Sequence, residues 1–139
     1  MAFDWWDFLE LADELHKGAN QKSASKIPHR EARLRTVVSR AYYAALKSIS
    51  ELLTDKHKFP EPPHASHHAI KQALEVHARN VPEYKQVLAK LTALQSARTF
   101  ADYKSDPPKG TSLEDLAQLA IDDAMDLRPV VKKLHKKKA

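Results

Sequence analysis

The feature that most constrains the fold is a long apolar stripe in the second quarter of the chain. Between residues 34 and 53 apolar side chains recur at steps of three and four, at Leu34, Val37, Val38, Ala41, Tyr42, Ala45, Leu46, Ile49, Leu52 and Leu53. This spacing places them on one face of an α-helix. No stretch alternates β-branched and polar residues, and the 139 residues include only two glycines. The pattern predicts an all-α fold, which at this length is one domain.

Proline, glycine and capping residues divide the chain into five predicted helices. Their expected caps or first-turn residues are Asp4, Pro28, Ser66, Asn80 with Pro82, and the capping box Thr111–Glu114. Their expected ends are about Lys17 with Gly18 as a stop, Leu53, Arg79, the region of Arg98, and a lysine-rich last turn. Pro129 is expected to kink the fifth helix.

The composition favours a soluble cytoplasmic protein. Cysteine is absent, which excludes disulfides and thiolate metal sites. The first seven residues are acidic and do not resemble a signal peptide. No uncharged apolar run approaches the roughly 18 residues of a membrane span.

The net charge of +5 is concentrated at the C-terminus. We divide the chain into a helical domain, 1–131, and a basic tail, 132–139, which holds Lys132, Lys133, Lys136, Lys137 and Lys138. The remaining basic and acidic residues balance. A lysine tail and a basic segment over residues 22–58 favour an anionic partner such as RNA or DNA. A solubilising tail and a solvated helix face explain the same charges equally well.

Polar residues beside the apolar stripe form a first candidate site. Arg40, Tyr43 and Lys47 lie at three- and four-residue steps, so they share one helix face. Such a row can hold a phosphate and stack a base of a nucleic acid. The alternative is a cation over an aromatic ring at a helix or dimer interface. Tyr42 belongs to the apolar face and is expected in the core, with its hydroxyl bonded at the edge.

The segment Arg98–Tyr103 is the second candidate site, with Arg98, Asp102 and Tyr103 as its candidate catalytic residues. Arg98 and Asp102 are four apart and predict a surface ion pair. Arg98 and Tyr103 are five apart, about 140° around a helix. We therefore expect them to converge only if the helix ends or bends near residues 101–102.

No cofactor and no metal site is expected. The spacing of His64, His67 and His68 would allow metal binding, but no nearby acid completes the ligand set. The acids of the fifth helix are interpreted as a solvated face, with paired catalytic carboxylates as the alternative. The sequence contains no glycine-rich phosphate loop, nucleophile elbow or zinc motif.

The segments Phe8–Leu15, Ser39–Leu46 and Arg98–Tyr103 together resemble the HEPN superfamily of prokaryotic helical domains. The resemblance covers nearly the whole chain and implies a five-helix up-and-down bundle that forms a homodimer. Many members of that family are RNA-cutting toxins or phage-defence effectors, often encoded beside a small nucleotidyltransferase, which would act here as the antitoxin partner.

The family's catalytic pattern is an arginine followed, after four to six residues, by a histidine. Arg98 matches the arginine, but Tyr103 stands at the histidine position, with Asp102 before it. Tyrosine, with a reference pKa near 10, is a poor general base at neutral pH. The resemblance thus leaves two hypotheses: a metal-independent, RNA-directed toxin or defence component with a variant site, and a non-catalytic module that binds nucleotide, RNA or protein.

Overall fold

The computed structural model describes residues 3–19, 27–59, 67–106 and 109–137. The helices are α1 (Asp7–Ala19), α2 (Arg30–His57), α3 (His67–Ala78), α4 (Glu83–Tyr103) and α5 (Leu113–Lys136). All regular secondary structure in these ranges is helical, which confirms the predicted all-α, five-helix fold. Within them, no helix is long and apolar enough to cross a membrane.

Helix α2 is the centre of the bundle and contacts the other four helices. Its predicted apolar stripe is buried throughout: Leu34, Val37, Val38, Ile49, Leu52 and Leu53 are inaccessible to solvent. Helix α5 packs on α1, α2 and α4, while α3 packs mainly on α4. The core therefore surrounds α2, and polar residues beside its stripe lie where neighbouring helices meet.

The N-terminal helix begins and ends later than predicted. The Asp4 carboxylate accepts a hydrogen bond from the Trp6 backbone N–H at 3.0 Å, so Asp4 caps the turn that precedes α1. Gly18 does not stop the helix, which continues to Ala19. The buried Ala19 side chain and the Arg30 guanidinium, which donates to the Ala19 carbonyl, hold this last turn in place.

Helix α2 is bounded by two residues in the left-handed conformation. His29 precedes it with φ of 55°, and Lys58 follows it with φ of 54°. The Phe59 N–H donates to the Leu53 carbonyl across the C-terminal end, a bond that satisfies one of the last carbonyls. The helix thus extends four residues past the predicted end at Leu53.

Two predicted caps shift by one or more residues. Asn80 lies in the turn before α4, and Pro82 directly precedes the helix without a side-chain cap. At α5 the cap is Ser112, not Thr111, because the Ser112 hydroxyl accepts from the Asp115 N–H at 3.1 Å. α5 continues through Pro129 as one helix. The predicted Ser66 cap lies outside the described residues.

The basic segment 132–139 begins inside α5. The helix extends to Lys136, and Leu134, between the lysines, is only 3% exposed. Lys137 is tied to the bundle, because its carbonyl accepts from Lys56 Nζ and its own Nζ lies 3.4 Å from a Glu83 carboxylate oxygen. Residues 132–137 are therefore part of the folded domain.

Candidate functional site

Arg98, on the last turns of α4, is the centre of a cluster of aromatic and acidic side chains. Its Nε donates to Asp102 at 2.8 Å, and its Nη2 donates to the hydroxyls of Tyr43 at 2.9 Å and Tyr103 at 3.3 Å. The Arg98 Cζ lies 5.2–5.5 Å from the ring centroids of Tyr42, Tyr43 and Tyr103. Here "the Arg98 cluster" means Arg98, Tyr42, Tyr43, Asp102 and Tyr103.

The cluster confirms the predicted Arg98–Asp102 ion pair and corrects the prediction for Tyr103. α4 does not end or bend before Asp102; it continues to Tyr103. The two side chains meet nevertheless, since an extended guanidinium and a phenol can reach around the helix surface from backbone positions about 140° apart. Two long side chains can therefore meet even when their backbone positions point in different directions around the helix.

The charge on Arg98 is well stabilised. Partial burial opposes ionisation, but Tyr43, Tyr103 and Asp102 more than compensate, so the pKa of Arg98 is raised. Among the described residues, none accepts a hydrogen bond from Nη1 of Arg98. This nitrogen is a donor available to an anion. The Tyr103 side chain, 68% exposed, borders it on the solvent side.

Asp102 joins α4 to α2. One carboxylate oxygen accepts from Arg98, and the other accepts from the Ser39 hydroxyl. A carboxylate has about four acceptor positions. Asp102 can therefore accept a further hydrogen bond from a ligand hydroxyl while it keeps both contacts.

Arg35 is a residue of this region that the sequence analysis did not find. Its guanidinium donates to the carbonyls of Phe100, Ala101, Lys104 and Ser105 at 2.7–3.1 Å. These include carbonyls that the end of a helix leaves without partners. A cation there also complements the negative end of the α4 dipole. Arg35 thus fixes the turn that presents Asp102 and Tyr103.

Tyr42 lies beneath Arg98 and connects the cluster to α3. It is 3% exposed, as expected for a core residue, and its hydroxyl lies 2.8 Å from Nδ1 of His67. Burial is the main cause that raises the pKa of Tyr42 to about 12. Burial, followed by nearby Lys71 and Arg98, lowers the pKa of His67. A neutral imidazole allows Nδ1 to accept from the Tyr42 hydroxyl.

The predicted α2 row is divided between two surroundings. Tyr43 turns toward Arg98, whereas Arg40 lies over the Phe8 ring at 5.1 Å and Lys47 over the Trp5 ring at 5.8 Å. Phe3, Trp5 and Phe8 contact one another, with centroids 5.1–5.9 Å apart. The cations of this row thus lie on aromatic rings of the N-terminal segment.

The structure places the C-terminal lysines apart from the Arg98 cluster. Lys132 and Lys136 line a cleft between α5, α2 and the N-terminal segment, and Lys133 is exposed on the same helix. Lys137 pairs with Glu83. Lys138 lies outside the described residues, as does His64.

Two further predictions concern metal sites and acids. In the ranges that the structure describes, there is no group of three or more His, Cys, Asp or Glu side chains suited to hold a metal ion. The acids of α5 are only partly a solvated face. Asp123 is buried and pairs with Lys90 at 3.0 Å, and Glu114 pairs with Arg30.

The fold and the Arg98 cluster define a helical bundle with an arginine site at the junction of its second and fourth helices. The model of the HEPN domain matches residues 11–134 of this chain. The chain therefore belongs to the HEPN domain family, which confirms the resemblance found in the sequence. No curated protein and no solved structure matches it significantly.

Proposed function

We propose that this HEPN protein is an RNA-directed toxin or phage-defence component that binds a phosphate of its target at Arg98. The observation that supports this most directly is the free Nη1 of a charged arginine beside the exposed ring of Tyr103. Arginine is well suited to phosphate because its planar fork presents several donors. An exposed aromatic ring next to it offers a stacking surface for a base.

In the cleavage reaction, Arg98 stabilises the charge that develops on the phosphate in the transition state. Asp102 or Tyr103 orients the attacking 2′-hydroxyl, since each lies within hydrogen-bonding distance of Arg98. These roles need no metal ion.

The proposed protein acts in the cytoplasm as a homodimer. The surface that we assign to the dimer surrounds Tyr43 and Arg98 on α2 and α4, so two Arg98 clusters face each other. A nucleotidyltransferase is the proposed antitoxin partner. The resemblance to the family implies the homodimer and its partner, and the exposure of Tyr103 at this junction supports the choice of dimer surface.

A non-catalytic module that binds nucleotide, RNA or protein is the second candidate. It is favoured by the pairing of Arg98 with Asp102, which offsets the arginine charge. In addition, none of the described histidines is hydrogen-bonded to Arg98, whereas a group that titrates near pH 7 is the usual general base. We therefore expect wild-type cleavage to be weak.

The test is incubation of purified protein with total RNA in the presence of EDTA. Three proteins are compared: wild type, Arg98→Ala, and Arg79→Ala as a control at an exposed arginine at the end of α3. EDTA-resistant cleavage that is lost only in Arg98→Ala supports the toxin. RNA binding without cleavage, again lost only in Arg98→Ala, supports the module. If Arg98→Ala binds and cleaves like the wild type, both proposals that rest on Arg98 are wrong.

A further inference from the structure

A cleft of about 520 Å³ lies where the N-terminal segment meets α2 and the end of α5. Its lining combines aromatic rings, two lysines, two carboxylates and a hydroxyl, contributed by Trp5, Trp6, Lys132, Lys136, Asp4, Glu51 and Ser48. We call it the tryptophan cleft. The proposed function does not use it.

Some charged groups of this cleft already have a hydrogen-bond or ion-pair partner among the described residues, and others do not. Asp4, on the rim, caps the turn at Trp6. Lys132 and Lys136 are exposed and form no ion pair with a described residue, unlike Lys137, which directly follows the helix. Glu51 is half-buried. The cleft thus offers free ammonium groups for phosphates, rings for stacking, and an acceptor for the amino or imino groups of a base.

The tryptophan cleft is continuous with the Arg98 cluster along one face of α2. Arg40, Tyr43, Lys47 and Glu51 follow one another at three- and four-residue steps. Tyr43 accepts a hydrogen bond from Arg98 at one end of this row, and Glu51 lines the cleft at the other end. The two are eight residues apart, or about 12 Å along the helix axis.

Lys47 lies between these ends and Arg40 lies one step before Tyr43, and both are cations over aromatic rings. Arg40 lies over Phe8, and Lys47 lies over Trp5. Phe3 is exposed over half of its surface and contacts both rings. Alternating cations and aromatic rings are typical of surfaces that bind unpaired nucleic acid, because every base can stack and every nucleotide carries a phosphate.

We propose that the tryptophan cleft is a second subsite for the RNA strand, which holds an unpaired nucleotide several positions from the phosphate at Arg98. Lys132 and Lys136 bind its phosphates, and Trp5 and Glu51 contact its base. The target is then single-stranded over the whole row from Arg98 to the cleft. A duplex, whose bases are already stacked and paired, cannot use the rings. This inference rests on the proposed function.

The test uses full-length protein and 2′-O-methylated RNA, which has no free 2′-hydroxyl and stays intact. Binding of an unpaired 3-mer, an unpaired 10-mer and a 10-base-pair duplex is measured by fluorescence anisotropy. The variants are Lys132→Gln with Lys136→Gln, the control Lys133→Gln with Lys137→Gln at the residues that directly follow them, and Arg98→Ala. Both double variants remove the same net charge.

We expect the Lys132/Lys136 variant to bind the 10-mer roughly tenfold more weakly, with little change for the 3-mer held at Arg98. Its slope of log Kd against log salt should fall by about 1.4, at about 0.7 for each lost phosphate contact. The control variant should resemble the wild type. The two tryptophans of the chain both line the cleft, so the 10-mer should also quench their fluorescence and the 3-mer should not.

The outcomes separate this inference from the proposed function. If Arg98→Ala loses binding but the Lys132/Lys136 variant behaves like its control, the cleft is not a subsite and the proposed function stands. If the cleft variant loses binding and Arg98→Ala does not, the cleft binds RNA and the role of Arg98 is wrong. Equal affinity for the duplex, or no change in tryptophan fluorescence with the 10-mer, overturns the subsite.

Discussion

The hydroxyl of Tyr42 and Nδ1 of His67 are hydrogen-bonded at 2.8 Å, and this bond joins the middle of α2 to the first residue of α3. Nδ1 can accept from the hydroxyl only in the neutral imidazole, because a protonated ring has no acceptor nitrogen and has to donate to the phenol oxygen instead. Burial favours the same state, since it lowers the pKa of His67. The attachment of α3 to the bundle is therefore coupled to pH.

The first prediction is that stability falls on mild acidification. His67 has a lower pKa in the folded chain than the value near 6.5 of an unfolded one. The unfolded state therefore binds more protons between the two values, and the free energy of unfolding decreases as the pH falls from 6.5 through the folded pKa. The pKa of His57 is lowered by burial and by nearby His77, so His57 also decreases the free energy of unfolding as the pH falls.

Urea unfolding between pH 8 and 5.5 measures this effect. We expect His67→Gln to reduce the pH dependence and the neighbouring, exposed His68→Gln, which removes only the smallest contribution to the lowered pKa of His67, to change it much less. An identical slope in wild type and His67→Gln would show that His67 does not couple folding to pH.

The second prediction concerns Arg35. Arg35→Met keeps much of the apolar stem but removes the donors to four carbonyls at the end of α4. We expect a loss of about 1.5–3 kcal/mol in the free energy of unfolding. Hydrogen exchange should accelerate at the backbone amides of residues 101–105, and RNA binding at Arg98 should weaken.

Arg33→Met is the matched control, because the Arg33 side chain is exposed and donates only to the Pro28 carbonyl among the described residues. If amide exchange near Tyr103 is the same in both variants, Arg35 does not position the candidate site.

How much of the structure can be predicted from the sequence depends on how far apart along the chain the contacting residues lie. The α2 stripe was predictable because its burial follows from periodicity along one helix. The contacts of Arg35 were not, since they depend on the return of α4 to α2 some 65–70 residues later. The Arg98–Asp102 pair is local and was predicted. The contact between Arg98 and Tyr103 was missed, because the angle between their positions around the helix axis takes no account of side-chain length.

The third prediction is that the chain forms a two-fold homodimer, as family membership and the exposed junction of α2 and α4 suggest. Light scattering at tens of micromolar should give twice the 15.7 kDa of one chain. Tyr103→Arg, which adds a like charge at the proposed interface, should shift the mass toward the monomer, whereas Lys85→Glu on the exposed start of α4 should not. A wild-type mass near 16 kDa would contradict the dimer.

The fourth prediction distinguishes the charge of the C-terminal segment from its structural role. A chain that ends at Val131 loses the buried Leu134 and the contacts of His135 with Asp55 and of Lys56 with the Lys137 carbonyl. We expect its free energy of unfolding to fall by about 2–5 kcal/mol, the usual cost of a lost core leucine. Replacing exposed Lys132 and Lys136 by glutamine should cost about 0.5 kcal/mol or less. Thermal unfolding compares the two, and equal melting temperatures in the truncated and full chains would show that the segment contributes no stability.

The last prediction concerns Tyr103, which the sequence resemblance aligns with the family's histidine. Tyr103→His should leave stability nearly unchanged, because the side chain is 68% exposed. The imidazole, with a reference pKa near 6.5, adds a general acid or base beside the phosphate that Arg98 binds. We expect metal-independent RNA cleavage to increase by about tenfold or more, with a bell-shaped pH dependence near neutrality.

Tyr103→Phe, which keeps the ring and removes the hydroxyl, should reduce cleavage only modestly. The double variant with Arg98→Ala should be inactive, since the imidazole alone cannot stabilise the developing phosphate charge. If Tyr103→His is folded and dimeric but cleaves no faster than wild type, residue 103 does not face the reacting phosphate, and the non-catalytic module becomes the better description.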